Sequence, residues 1–384
     1  MYESEKEYNV GYDRFKLKDN PFRPALPLSP EDIIWLGTDR LKTQIEKRIM
    51  LAMRTSSSRV ILNWGDYGNG KTYTAAYYSR TRRLKELSDK LSVSPAKSIK
   101  VCLPRTSKNI VQAFWRALLG QIRFDDIISG FKQLKKIFKD DFDKIVAANS
   151  DDNLIGQLFI TVANESESQK TDDIKNYFYS DKTETMLKQS DVPPGISDDE
   201  QVVNLISTIF NCLTYKKKIY SAILLWIDEF ENIDTVRKSD ADRFAAFLKQ
   251  LTDKSPNNLN IFLNFTPKKF LALEDLSVYL GEALLNRAKL KIRFDAPSAD
   301  EAADYLRALL NHPSYRTEEK PENKFCPFSE ELVTYILQHI GRLSIRKINE
   351  VFSIILEMAL IEETKEITID FVETIKEEII SWED

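Results

Sequence analysis

The sequence predicts an α/β fold, a parallel sheet flanked by helices, followed by an all-helical C-terminal part. Three observations predict it. Apolar runs at 60–64, 220–227 and 260–265 alternate with stretches of helical periodicity. The run 220–227 is nearly continuous in apolar residues, as in a strand covered on both faces. Beyond Pro297 the apolar residues recur only at three and four, the helical spacing.

Composition sets the outer limits. The 384 residues suffice for two or three domains. A net charge of −4 and a pI near 5.6 leave no global basic footprint, which argues against a protein held on DNA by bulk electrostatics. Cys102, Cys212 and Cys326 are far apart and odd in number, and are expected to be reduced, buried thiols of a cytosolic protein. With only His312 and His339, no Cys/His metal spacing exists, and both are expected to be surface or packing residues. The chain opens on polar residues without a signal-like apolar core, and no run reaches transmembrane length, so a cytoplasmic protein is expected.

Each element follows from local chemistry. Residues 1–30 are polar and then punctuated by Pro21, Pro24, Pro27 and Pro30, which predicts an extended arm. Thr38 can cap a helix over 39–54, with Leu41, Ile45, Ile49 and Leu51 at near-helical spacing. Strand 60–64 is followed by a glycine-punctuated loop and a helix over 72–85. A strand over 98–103 precedes an amphipathic helix over 110–122 carrying Val111, Phe114, Trp115, Leu118 and Leu119. The block 123–194 reads as an insertion. Its first half is helical in pattern, through Phe131, Leu134, Ile137, Phe138, Phe142 and Ile145. Its second half, 164–191, is polar and reads as a long loop.

Ser197 with Glu200 suggests a capping box for a helix over 198–213. Helices over 240–254 and 276–286 separate the strands 220–227, 260–265 and 289–294. Ser298 with Glu301, then Ser329, Ser344 and Thr368, mark four helix starts in the C-terminal part.

Two stretches carry chemistry. Gly65-x4-Gly70-Lys71-Thr72 has the spacing of a phosphate-binding P-loop. Glycines let backbone N–H groups curl round phosphate oxygens, and the following helix start adds its positive dipole end. Lys71 would reach the β- and γ-phosphates and the Thr72 hydroxyl would ligate Mg²⁺. The nucleotide-binding set is then Gly65, Asp66, Tyr67, Gly68, Asn69, Gly70, Lys71, Thr72 and Tyr73. A glycine-rich turn that merely carries Lys-Thr would look similar, but here a strand-like run precedes the loop and a helical stretch follows it.

The second stretch is 223–229, an apolar run ending in Asp228 and Glu229. Asp228 would hold Mg²⁺ and Glu229 would orient and deprotonate the attacking water. A strand ending in a solvated acidic turn is the bland alternative. The preceding P-loop, one mid-sized sheet's worth of chain upstream, favours the second Walker motif.

Together these features resemble AAA+ ATPases over about residues 37–384, the insertion excepted. The pattern is most similar to the branch of origin-recognition and Cdc6-type initiators and of the TniB and ExeA ATPases. Gly37, Thr38, Asp39 and Arg40 occupy the place of that branch's Gly-x-x-Arg box. The resemblance implies an arm over 1–36, an α/β nucleotide-binding domain over 37–296 and a helical lid over 297–384. It implies a polar sensor at the end of the strand after Asp228, for which Asn264 and Thr266 both qualify, with Thr266 preferred as nearer the strand end. It implies an arginine finger, for which Arg287 stands in place, although an arginine at a helix C-terminus is also favoured by the dipole alone. It implies a lid arginine, offered by Arg342 and Arg346, of which Arg346 follows the Ser344 cap as the family pattern wants. Segments around 20–22 and 33–36 are where contacts to adenine are expected.

The implied activity is ATP hydrolysis with Mg²⁺, slow and partner-stimulated, in a homo-oligomer. The output is either DNA-directed, as in transposition or replication loading, or a regulator of an effector protein in bacterial defence or signalling without direct DNA contact. Initiators of this kind append a winged-helix domain after the lid. The resemblance stops at the lid, so autonomous site-specific DNA binding is not expected. The insertion reads as a partner-binding element or as a tolerated surface elaboration. Lys132, Lys135, Lys136 and Lys139, and Lys216, Lys217 and Lys218, form basic clusters that read as solvated faces or as phosphate contacts.

Overall fold

A computed structural model describes residues 11–379, apart from 24, 28, 106–108, 165–174, 176–177, 179–197, 268–274, 289, 318–320 and 365. Most of the polar loop expected over 164–191, the Ser197 cap and the first residue of the strand expected at 289 lie outside the described residues.

By backbone contacts the chain divides into two units, Gln44–Trp64 with Thr74–Arg293, and Met1–Thr43 with Gly65–Tyr73 and Phe294–Asp384. The first of these holds the sheet. Its strands are β1 (Arg59–Gly65, whose last residue belongs to the other unit), β2 (Lys97–Cys102), β3 (Ile223–Asp228), β4 (Leu259–Phe265) and β5 (Leu290–Phe294, likewise). They lie in the order β2-β3-β4-β1-β5. The pairs β2–β3, β3–β4 and β4–β1 are parallel, with Cys102 opposite Asp228 and Asn63 opposite Asn264. The predicted α/β class is thus what the structure has, and its expected strands agree to within a residue or two except that β3 starts three residues later, at Ile223.

The two faces of the sheet differ because strand side chains alternate. One face, with Val60, Leu62, Ile99, Val101, Ile223, Leu225, Ile227, Ile261 and Leu263, enters a large apolar core. That core is completed by α4 (Ile110–Gln121), α8 (Asp199–Leu213), α9 (Lys238–Lys254) and α10 (Leu276–Leu285). Asp198 caps α8 by accepting from Gln201 N, one residue beyond the expected Ser197. The other face is aromatic at mid-strand. Trp226 stacks on Phe262 at 4.0 Å and on Tyr78 at 6.1 Å, and its Nε1 donates to Ser98 Oγ at 2.8 Å. Tyr78 belongs to α2 (Lys71–Arg80), which follows the P-loop, and burial pushes its hydroxyl pKa up.

The helical first half of the insertion is α5 (Phe124–Phe138), α6 (Phe142–Ala148) and α7 (Asn153–Asn164). Lys139, at φ 46°, breaks the pattern between α5 and α6. Phe131 stacks on Phe159 at 4.3 Å, and a Cβ on Gly130 would sit 2.5 Å from Leu213 of α8. These helices therefore share the core of the sheet unit rather than standing apart from it. Of the cysteines, Cys212 is buried as expected, whereas Cys102 is exposed, at the end of the edge strand β2.

The second unit has its own core, formed by α11 (Ala299–Leu310), α12 (Glu330–His339), α13 (Ile345–Ile361) and α14 (Ile369–Ile375). Ser298 and Glu301 form the predicted capping box, and Ser329, Ser344 and Thr368 each accept a backbone N–H as caps. The N-terminal segment is part of this core: Tyr12, Phe15, Leu17 and Phe22 are buried in it. The buried Arg316 secures it, donating to the carbonyls of Phe15, Lys16, Leu310 and Cys326. Among the described residues no helix is long and apolar enough to cross a membrane.

Candidate functional site

The glycine loop leaves β1 and enters α2, as its spacing predicts. Gly65 is required by a close approach, since a Cβ there would lie 2.2 Å from the carbonyl oxygen of Phe294. The Lys71 side chain is curled back on the loop, donating to the carbonyls of Gly65 at 2.7 Å and Asp66 at 2.8 Å. Asn69 is buried and donates to Phe294 O at 3.0 Å. Tyr73 OH donates to Ile34 O at 2.7 Å, which ties the start of α2 to the segment before Gly37.

The loop also meets the lid residues singled out in the sequence. Arg342 pairs with Asp66. Arg346 lies over the Tyr67 ring at 4.9 Å, donates to its hydroxyl, and donates its backbone N–H to Gly68 O at 3.3 Å. Its Nε donates to Glu350 at 2.8 Å, and this hydrogen bond is the main reason its pKa is raised. Gly68 stands at φ 82°, and a Cβ there would lie 2.8 Å from Ser344 Oγ. The P-loop pattern leaves this position open, so its glycine is explained by the backbone conformation and by the start of α13.

Phe22, in a segment expected to touch adenine, is buried between Phe328 and Phe352. Asn20 is bound to Ser353 and Glu357.

The carboxylates close β3 in the sheet unit. Asp228 is 2% exposed. Its Oδ1 accepts from Asn264 Nδ2 at 2.9 Å, and its Oδ2 lies 3.2 Å from Lys100 Nζ. Asn264 Oδ1 in turn accepts from Asn63 Nδ2 at 2.7 Å. Lys100, Asp228, Asn264 and Asn63 thus form a polar chain across β2, β3, β4 and β1 at the C-terminal edge of the sheet. Of the two sensor candidates, Asn264 touches Asp228, while the backbone N–H of Thr266 donates to Glu231 at 3.2 Å.

Glu229 follows in a left-handed turn, φ 52°. It is 40% exposed, and its Oε2 accepts from Arg105 at 3.1 Å and Asn232 at 3.0 Å. Asn232 also reaches Leu103 O at 3.3 Å, so the end of β2 and the turn after β3 together aim Glu229. Arg287, 41% exposed, donates to Thr252 Oγ1 at 2.7 Å and pairs with Asp253 at the end of α9.

Lys100, Asn63, Arg105 and Asn232 belong to no sequence motif. Two of them leave a trace in the sequence. A lysine between Ile99 and Val101, and an asparagine between Leu62 and Trp64, are out of place in strands with covered faces. Arg105 and Asn232 leave none, because only the fold brings their loops to Glu229.

The oxygen donors at hand suit a hard cation. Among the described residues no cluster of three or more His, Cys, Asp or Glu could hold a metal. An ion on Asp228 would have to complete its shell with a hydroxyl, phosphate and water, as Mg²⁺ does.

No family model and no curated protein matches this sequence. Solved structures do match. The Aeropyrum pernix ORC2 protein, in ADPNP-ADP complexes, is 12% identical with a TM-score of 0.54, over 95% of this chain and 72% of that one. Drosophila ORC bound to DNA is 13% identical at a TM-score of 0.54, over 99% and 68%. Cdc6p from Pyrobaculum aerophilum is 14% identical at 0.51, over 94% and 72%.

Proposed function

We propose that this chain, whose fold is that of the AAA+ ATPases of the ORC and Cdc6 kind, is an ATP-binding and ATP-hydrolysing switch that oligomerises and acts on DNA. The observation that carries the reading is the pair of carboxylates closing β3, one sealed and one displayed. Phosphoryl transfer to water needs positioning and charge neutralisation more than covalent chemistry. Glu229, ordered by Arg105 and Asn232 yet open to solvent, suits a base that positions a water. Asn264, bonded to Asp228, suits the polar sensor better than Thr266. Backbone N–H groups of the loop 65–72 and the Lys71 ammonium would hold the phosphates.

Mg²⁺, held by the Thr72 hydroxyl and the Asp228 carboxylate, would neutralise charge on the transferring group. Arg287 of a second copy would supply the remaining positive charge in trans. Arg342 and Arg346 contact the loop through Asp66 and Tyr67, which supports a lid that follows the nucleotide.

DNA as the target is supported by the similarity to an ORC structure solved on DNA. The test is ATP turnover by wild type, Lys71→Ala and Glu229→Gln, with gel retardation of duplex DNA at rising salt. Expected are loss of nucleotide binding for Lys71→Ala, retained binding with turnover slowed about 10²-fold or more for Glu229→Gln, and an ATP-dependent shift that weakens with salt. Equal turnover by all three proteins would rule out the hydrolytic reading. A shift indifferent to ATP would rule out the DNA-directed switch.

A further inference from the structure

The lysine on β2 has a consequence for the carboxylate it faces. Asp228 is 2% exposed, and a buried carboxylate is tolerated only when paired and hydrogen-bonded. Asn264 supplies the hydrogen bond, and Lys100, with a side chain only 20% exposed, supplies the charge at 3.2 Å. Lys100 belongs to no motif, and its strand would be expected to carry an apolar residue on a face that packs against Trp226 and Tyr78. A divalent cation arriving on Asp228 therefore meets an ammonium already there. Two cations sharing one carboxylate repel each other, and the metal can engage only if further negative charge comes with it.

We propose that Lys100 is the resident counter-ion of Asp228, a positioning residue that makes divalent-cation binding at that carboxylate conditional on nucleotide phosphates arriving with the metal. The proposal rests on the reading of Asp228 as the metal carboxylate. Lys100 holds the carboxylate in place, directed toward Asn264, while the site waits. It also disfavours occupation by the metal alone.

The experiment uses Mn²⁺ as the probe, titrated by electron paramagnetic resonance into the full chain with and without ADP. Wild type is expected to take Mn²⁺ tightly only with ADP. Lys100→Met is expected to bind Mn²⁺ alone at least about tenfold more tightly than wild type. Lys100→Arg, which keeps the charge, is expected to stay close to wild type, and Lys100→Met with Asp228→Asn is expected to lose the gain.

Unchanged affinity for Mn²⁺ alone in Lys100→Met overturns the proposal. So does a wild type that binds Mn²⁺ equally well without ADP. Melting in chelator covers the case of a poorly folded single variant. Lys100→Met should melt below wild type and the double variant should recover most of the loss, because removing both charges leaves neither one buried alone. A double variant as unstable as the single one overturns the pairing. Failure of wild type to bind ADP at any Mn²⁺ concentration would sink the ATPase reading instead, and the chelator melts distinguish that failure from a failure of the ion pair.

Discussion

Asn264 is the residue on which the polar edge of the sheet turns. It donates to Asp228 and accepts from Asn63, all three buried. Asn264→Ala would leave a carboxylate oxygen and an amide N–H buried without those partners, at a cost of about 3 kcal/mol. Thr266→Ala keeps the backbone bond to Glu231 and should cost about 0.5 kcal/mol or less. Urea unfolding of both variants checks this, and equal losses would refute it.

A second residue carries a pH dependence. Burial lowers the pKa of His312 from 6.5, and its Nδ1 accepts from Ser314 N at 3.2 Å. The folded state therefore binds this proton less readily than the unfolded one. The contribution of His312 is complete above pH 6.5 and is lost as pH falls below it toward the lowered folded value. The slope of stability against pH in that window should flatten in His312→Gln.

Elements are held by single devices. Arg316 joins the end of α11, the N-terminal segment and the Cys326 carbonyl with one buried guanidinium, whose pKa burial lowers. Arg316→Met fills similar space but removes the guanidinium donors from those carbonyls, of which that of Lys16 keeps its bonds from Thr317, and should destabilise by about 3 kcal/mol in denaturant unfolding. Gly68 performs the corresponding task between the P-loop and the start of α13. Gly68→Ala meets both a left-handed backbone and Ser344 Oγ, and should cost about 1–3 kcal/mol. Gly120, in α4 with open space around its Cβ position, is the control, since Ala there should stabilise by about 0.5–1 kcal/mol. A Gly68→Ala protein as stable as the control would show that the lid start does not press on the loop.

At the scale of the whole molecule, the proposed finger Arg287 predicts cooperation between copies. ATP turnover per chain should rise with protein concentration, and Arg287→Ala should abolish the rise. Mixing Arg287→Ala with Lys71→Ala should restore part of the activity, because each supplies what the other lacks. Activity per chain that stays constant across concentration would exclude a finger in trans. The insertion calls for a different design. Because α5 and α7 bury Phe131 and Phe159 in the core of the sheet unit, deletion of 123–164 should unfold that unit rather than release a partner. Substitution of the exposed Ile137 and Leu154 tests partner binding without that loss.

The sequence alone determined what is local. Strands covered on both faces need unbroken apolar runs, helices need three–four spacing and a capping oxygen, and a phosphate loop needs glycine at set intervals. The α/β class, the placing of β1, β3 and β4, and the caps Ser298, Ser329, Ser344 and Thr368 were therefore legible. The glycine loop between β1 and α2 and the acidic end of β3 were legible for the same reason. Tertiary structure alone decided which residues meet across strands and loops. Strand register places Asn63 opposite Asn264, and the length of the Lys100 side chain brings its ammonium to Asp228. Loop geometry brings Arg105 to Glu229 and Arg346 to Tyr67. These contacts join positions far apart in the chain, where no local periodicity records them. The buried Asp228 needs such a partner because the interior, unlike water, leaves an uncompensated charge unscreened.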